Sequence, residues 1–69
     1  MITPQLVRAV IEQRFRLEQL PLNIELRDCN LNDHDLLQLR SELNKQFTKD
    51  AVPTFSDTIY TLTDKLNEN

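Results

Sequence analysis

The chain has 69 residues, with eight Lys or Arg against eleven Asp or Glu, a net charge of −3, and neither glycine nor tryptophan. A chain this short makes one domain with a thin margin of stability, to which a partner or self-association can contribute, and its core has to be mostly Leu, Ile and Val. Residues 1–27 set Arg8, Arg14, Arg16 and Arg27 against Glu12, Glu18 and Glu25, while residues 28–69 hold four basic and eight acidic side chains, a balance that argues against nucleic acid, which needs a clustered basic surface.

No stretch approaches the ~20 apolar residues of a membrane span. The start has no charged region leading into a long apolar run, so no signal peptide is expected. Cys29 is the one cysteine, which rules out an internal disulfide and makes the cytoplasm the expected compartment.

In chain order, Thr3-Pro4 reads as a helix cap followed by proline in the first turn, where a missing N–H costs nothing. Leu6, Val7, Val10, Ile11, Phe15 and Leu17 give a broad apolar face, which predicts a helix over about Pro4 to Leu17. Arg14 lies within that face. Its stem is expected to pack and its head to reach water, in preference to a buried ion pair whose desolvation is costly. Pro21 stops helical continuation, and a loop is expected from Leu20 to about Asn32, with Leu22, Ile24, Leu26 and Leu31 tucking inward. Alternation at 22, 24 and 26 also suits a short strand, but no partner strand is evident, and a lone strand leaves backbone groups unpaired.

Leu31 to Phe47 is the most regular segment. Asn32, Asp33 and Asp35 open it, and such side chains accept the unpaired N–H groups of a helix start. Leu36, Leu39, Leu43 and Phe47 follow at i, i+3, i+7 and i+11, an apolar stripe at helical period, with Leu37 just off it and expected at the surface.

Read from Ile24 to Asp35, this helix and its lead-in resemble the approach to the second helix of acyl and peptidyl carrier proteins. The family pattern is roughly L-x-D-L-G-x-D-S-L-D, followed by a helix ending L-x-x-x-F. Here Leu39, Leu43 and Phe47 take the core positions and Asp35 the acidic residue after the motif. The modified serine then falls on Asp33, its preceding aspartate on Asn32 and its following leucine on His34. Asn30 stands at the family's glycine, and Asn is the next residue most tolerant of a left-handed turn. The frame matches and the chemistry does not. In the family, the serine hydroxyl is joined to phosphopantetheine, whose thiol carries acyl or aminoacyl groups. Asp33 keeps a capping role in this reading but lacks the hydroxyl. Ser41, Ser56 and the threonines lie elsewhere.

After a break at Thr48 to Pro53, Phe55, Ile59, Leu62 and Leu66 repeat the apolar stripe, and all four are expected to face the core. Two readings stand. One is a single helix from Thr54 with Asp57 completing a capping box. The other follows the resemblance and is preferred. Val52-Pro53 takes the place of the family's Ile-Pro before a short third helix, and Thr61-Leu62-Thr63-Asp64 resembles the Thr-Val-x-Asp opening of its fourth, with Thr61 and Asp64 capping a last helix of about two turns.

The expected fold class is therefore all-α, a small three- to four-helix bundle of carrier-protein type. Asp33-His34-Asp35 invites a metal or acid–base reading, but consecutive helix residues point about 100° apart, so a solvated helix start is preferred and no metal, cofactor or catalytic residue is expected. Cys29 has no neighbour that would activate it and reads as a small packed side chain. The resemblance implies partner proteins, among them biosynthetic enzymes, that grip the second helix through exposed apolar residues and an acidic run. Here Leu37 and Ser41 occupy apolar recognition positions, while Gln38, Asn44 and Lys45 replace much of the acidic run. The expected function is a non-enzymatic interaction module without phosphopantetheine, binding protein through Asp33, His34, Leu37, Gln38 and Ser41. A true carrier with a misplaced attachment site and an unrelated small helical regulator are the alternatives.

Overall fold

The structure, a computed structural model, describes residues 1–68. Three helices carry it: α1 (Pro4–Phe15), α2 (Asp33–Phe47) and α3 (Ile59–Glu68), with a short 3₁₀ turn at Leu26–Cys29. It is a small all-α bundle in which α1 packs against both α2 and α3.

α1 begins as its sequence dictates. Thr3 is the cap, its hydroxyl accepting the Leu6 N–H at 3.3 Å, and Pro4 opens the first turn. It ends at Phe15 because Arg16 turns left-handed; the Arg16 N–H still reaches the Glu12 carbonyl, and the Leu17 N–H donates to the same carbonyl at 2.9 Å. The chain has no glycine, yet four residues hold left-handed φ: Arg16, Gln19, Asn30 and Thr48. Three of these close helical segments, where glycine is the usual choice.

Val7, Ile11, Leu26, Leu39, Leu43, Ile59, Leu62 and Leu66 are fully buried and form one core. Each such aliphatic side chain contributes ~1.5–3 kcal/mol when removed from water. Leu39 and Leu43 are the deep positions of α2, whereas Leu36 and Phe47 are half-buried at the ends of the stripe. The expected face of α1 is narrower than its apolar residues suggested. Val7 and Ile11 are buried and Val10, Phe15 and Leu17 partly so, but Leu6 points outward.

The long loop from residue 16 to 32 is pinned at several points. Glu12 Oε2 accepts the Leu20 N–H at 2.9 Å and Arg8 reaches the Leu20 carbonyl, so two α1 side chains one turn apart hold Leu20 against the bundle. Leu26 is buried, and Leu22, Ile24 and Leu31 pack partly against the core. Expecting no partner for this segment missed one contact. Glu25 and Thr58 form an isolated antiparallel bridge, and the Leu26 and Arg27 N–H groups donate to the Asp57 and Phe55 carbonyls at 2.9 and 3.0 Å. Asn30 is left-handed, φ 60°, as its tolerance suggested.

The last segment matches neither sequence reading. Asp57 does accept the Thr54 N–H at 2.9 Å, but that bond closes a turn instead of starting a helix. The helix begins one box later: Thr58 Oγ1 accepts the Thr61 N–H at 3.2 Å, and Thr61 Oγ1 accepts the Thr58 N–H at 2.8 Å. There is no separate short helix between α2 and α3 among the described residues, and α3 has ten residues instead of two turns. Thr61 helps to cap, but from the third helical position, and Asp64 lies inside the helix. Ile59, Leu62 and Leu66 are buried as expected, whereas Phe55 is half-exposed and stands outside the core cluster.

Candidate functional site

The head of α2 is set by a capping box between Asn32 and Asp35. The Asn32 amide oxygen accepts the Asp35 N–H at 2.8 Å, and the Asp35 carboxylate accepts the Asn32 N–H at 3.0 Å. Two of the three polar residues that open the helix are thereby consumed in starting it. The third, Asp33, is exposed, and its side chain makes no hydrogen bond or ion pair among the described residues. The capping role expected of Asp33 belongs to Asn32, because the box needs the residue just outside the helix, and Asp33 is already the first residue inside it.

His34, exposed, and Gln38, one turn on, meet: the His34 Nε2 lies 2.9 Å from the Gln38 Nε2. The Gln38 Oε1 accepts from the Arg14 guanidinium of α1. The Arg14 head thus reaches the surface as expected, 5.4 Å from the centre of the Phe15 ring, but it also links α1 to α2, which sequence alone did not indicate.

Leu37 is 65% exposed, a high value for a leucine in the middle of a bundle helix. With Ser41, Arg40, Asn44 and Asp50 it lines an open groove of about 410 Å³. Arg40 and Asp50 form one wall through a two-pronged ion pair, Nε to Oδ1 and Nη2 to Oδ2, both 2.8 Å. The bond from Arg40 holds the Asp50 carboxyl below its ordinary range. The structure places the five residues singled out in the sequence between Asp33 and Ser41 of α2, on different faces. Asp33 stands at the helix start, His34 and Gln38 turn toward Arg14, and Leu37 and Ser41 line the groove. Arg40 and Asn44 were recoverable from helical period, each lying three residues beyond Leu37 or Ser41. Asp50 was not, since only the fold of the loop returns it to α2.

Asp35 is committed to Asn32 and the His34 ring to Gln38, so the Asp33-His34-Asp35 run does not converge. Among the described residues no three His, Cys, Asp or Glu side chains come together in a way that could hold a metal ion. Cys29, the last residue of the 3₁₀ turn, is buried with its Sγ 3.7 Å from the Glu25 carbonyl. Burial first, and Asp28 second, push its thiol up, which disfavours the thiolate.

A second polar cluster fastens the loop to α3. The buried Asp57 carboxylate accepts Lys65 Nζ at 2.6 Å, the Thr61 hydroxyl at 2.8 Å and the Thr54 N–H at 2.9 Å, and Lys65 also reaches the Val52 carbonyl at 3.0 Å. This is a structural clasp, with its polar groups satisfied by one another. No helix of the described residues is long and apolar enough to cross a membrane. No family model, curated protein or solved structure matches this chain.

Proposed function

We propose that the chain is a carrier-protein-like interaction module that binds partner protein through the head of α2, without enzymatic activity and without attached phosphopantetheine. One observation carries the reading. An exposed carboxylate, Asp33, occupies the first residue of α2, where the resemblance puts the modified serine, and the exposed Leu37 follows one turn later. Attachment of phosphopantetheine needs a neutral hydroxyl to attack a phosphate. The Asp33 carboxylate repels that phosphate, and its product would be a labile acyl phosphate. The order of elements also supports the resemblance: a first helix, a long pinned loop, and a helix that opens at Asn32-Asp33 and closes at Phe47. The short third helix and the helix opening at Thr61-Leu62-Thr63-Asp64 that the resemblance implied are not part of this order, since α3 begins at Ile59.

The partner is a protein of a biosynthetic or regulatory system, and a free, buried thiol suits a reducing compartment such as the cytoplasm. Recognition rests on Leu37 and its groove more than on charge, because Arg40 and Asp50 neutralise each other there, so binding depends only mildly on salt.

The test is intact mass after incubation with coenzyme A and a broad-range phosphopantetheinyl transferase. The parent chain gains no mass, and the triple variant Asn32→Asp, Asp33→Ser, His34→Leu gains the phosphopantetheine mass. Loading of the parent would show a genuine carrier with a different attachment residue. A folded triple variant that never loads would leave a small helical regulator unrelated to carriers.

A further inference from the structure

We propose that Arg14, Gln38 and His34 form a proton-sensitive clasp, a directed chain of hydrogen bonds from the end of α1 to the first turns of α2, whose order is broken when the His34 ring takes up a second proton. The argument is one of donors and acceptors. A guanidinium can only donate, so the atom of Gln38 that faces Arg14 is its carbonyl oxygen, and the atom that faces His34 is its NH₂ group. An NH₂ group can only donate as well. The His34 Nε2, 2.9 Å away, must therefore be the acceptor, which places the ring proton on Nδ1. The three side chains form a chain with one direction: Arg14 donates to Gln38, and Gln38 donates to His34.

Protonation of the ring reverses the last link. Nε2 becomes a donor and faces another donor. Turning the Gln38 amide over repairs that contact only by presenting its NH₂ group to Arg14, which is again donor against donor. With the amide in place the Gln38–His34 bond within α2 is lost, and with the amide turned over the Arg14–Gln38 bond between α1 and α2 is lost. Histidine is the side chain whose charge ordinarily changes between pH 5 and 8.

The charged groups about the ring can be named. On α2, Asp33 and Asp35 flank it and attract the charged form, Asp35 while also held in the capping box. From α1, Arg14 repels it from the far side of Gln38, as does the positive end of the α2 dipole. The lead-in residues Asn30, Leu31 and Asn32 carry no titratable side chain. Attraction from the two aspartates does not close the clasp, because neither offers an acceptor to the Gln38 amide among the described bonds.

The clasp sits beside the groove assigned above to partner binding, but it stands without that assignment, and its test uses the chain alone. His34 is the one histidine, so its ring signals in a ¹⁵N-labelled sample are unambiguous. At pH 8 the nitrogen shifts report Nε2 unprotonated and the proton on Nδ1. From pH 8 to 5, the Gln38 NH₂ and Arg14 guanidinium signals move with the same midpoint as the ring, while the dispersed backbone amides of α3 stay in place. In Gln38→Ala the ring still titrates, the Arg14 response disappears, and the Nδ1–H tautomer loses its preference. A ring carrying its proton on Nε2 at pH 8 would overturn the proposal. So would Gln38 and Arg14 signals indifferent to the titration of His34, or an Arg14 response that survives in Gln38→Ala.

Discussion

Replacing Asp57 with alanine tests whether the loop between α2 and α3 is held by the polar clasp. The carboxylate is 6% exposed and accepts from Lys65, Thr61 and the Thr54 backbone. Its removal leaves the Thr54 N–H without that acceptor, costing ~1–3 kcal/mol if the group stays dry. Lys65 is about one-third exposed and keeps its bond to the Val52 carbonyl, so water recovers much of its loss. The Thr61 side chain also lies near solvent. The net cost is therefore about 2–3 kcal/mol, below the upper range for a fully buried pair. In a domain with ~5 kcal/mol or less to spare, this lowers the midpoint of a thermal melt by roughly 10–20 °C. Circular dichroism melts at pH 7 of Asp57→Ala, Lys65→Met and the double variant measure both the loss and the coupling, which should reach ~1 kcal/mol. An Asp57→Ala melt within about 0.5 kcal/mol of the parent, or strict additivity in the double variant, would refute the clasp.

Acid supplies an independent check on the same group. Burial alone would push the Asp57 carboxyl up, but the bonds from Lys65, Thr61 and Thr54 outweigh it and hold it below the ordinary carboxylate range. Such a group binds its proton more weakly folded than unfolded. Its stabilisation is present above the unfolded value of about 3.9 and is lost as pH falls from there through the lower folded value. Parent stability should thus decline more steeply below about pH 4 than that of Asp57→Asn, and parallel curves would remove Asp57 from the account. In the core, Leu39→Ala or Leu43→Ala should cost ~2–5 kcal/mol in urea melts, enough to approach unfolding of the chain. Leu37→Ala, by contrast, should leave the melt within about 0.5 kcal/mol of the parent, since that side chain lies mostly in water. Thr48→Gly should stabilise by up to about 1 kcal/mol, because a β-branched residue holds φ 54° at the end of α2, and calorimetry showing a loss would mean the Thr48 hydroxyl bond to the Phe47 carbonyl outweighs that strain.

What the chain determined by itself is what depends on near neighbours. Thr3-Pro4, the Asn32 and Asp35 pair, and the period of Leu39, Leu43, Leu62 and Leu66 are interactions within one or a few turns, and they dictate α1, α2 and the buried face of α3. Tertiary structure decided where local signals competed. Thr54-Asp57 and Thr58-Thr61 are consecutive segments, each with side chains able to cap a helix start. The helix starts at the second because the Glu25–Thr58 bridge and the Asp57 and Phe55 carbonyls are engaged by the first loop, which holds residues 54–58 in an extended turn. The site divides in the same way. The helical faces of His34, Gln38, Leu37 and Ser41 follow from period alone, but Arg14 meets Gln38 and Asp50 meets Arg40 across 24 and 10 residues of chain, contacts that exist only once the hydrophobic core has brought their backbones together.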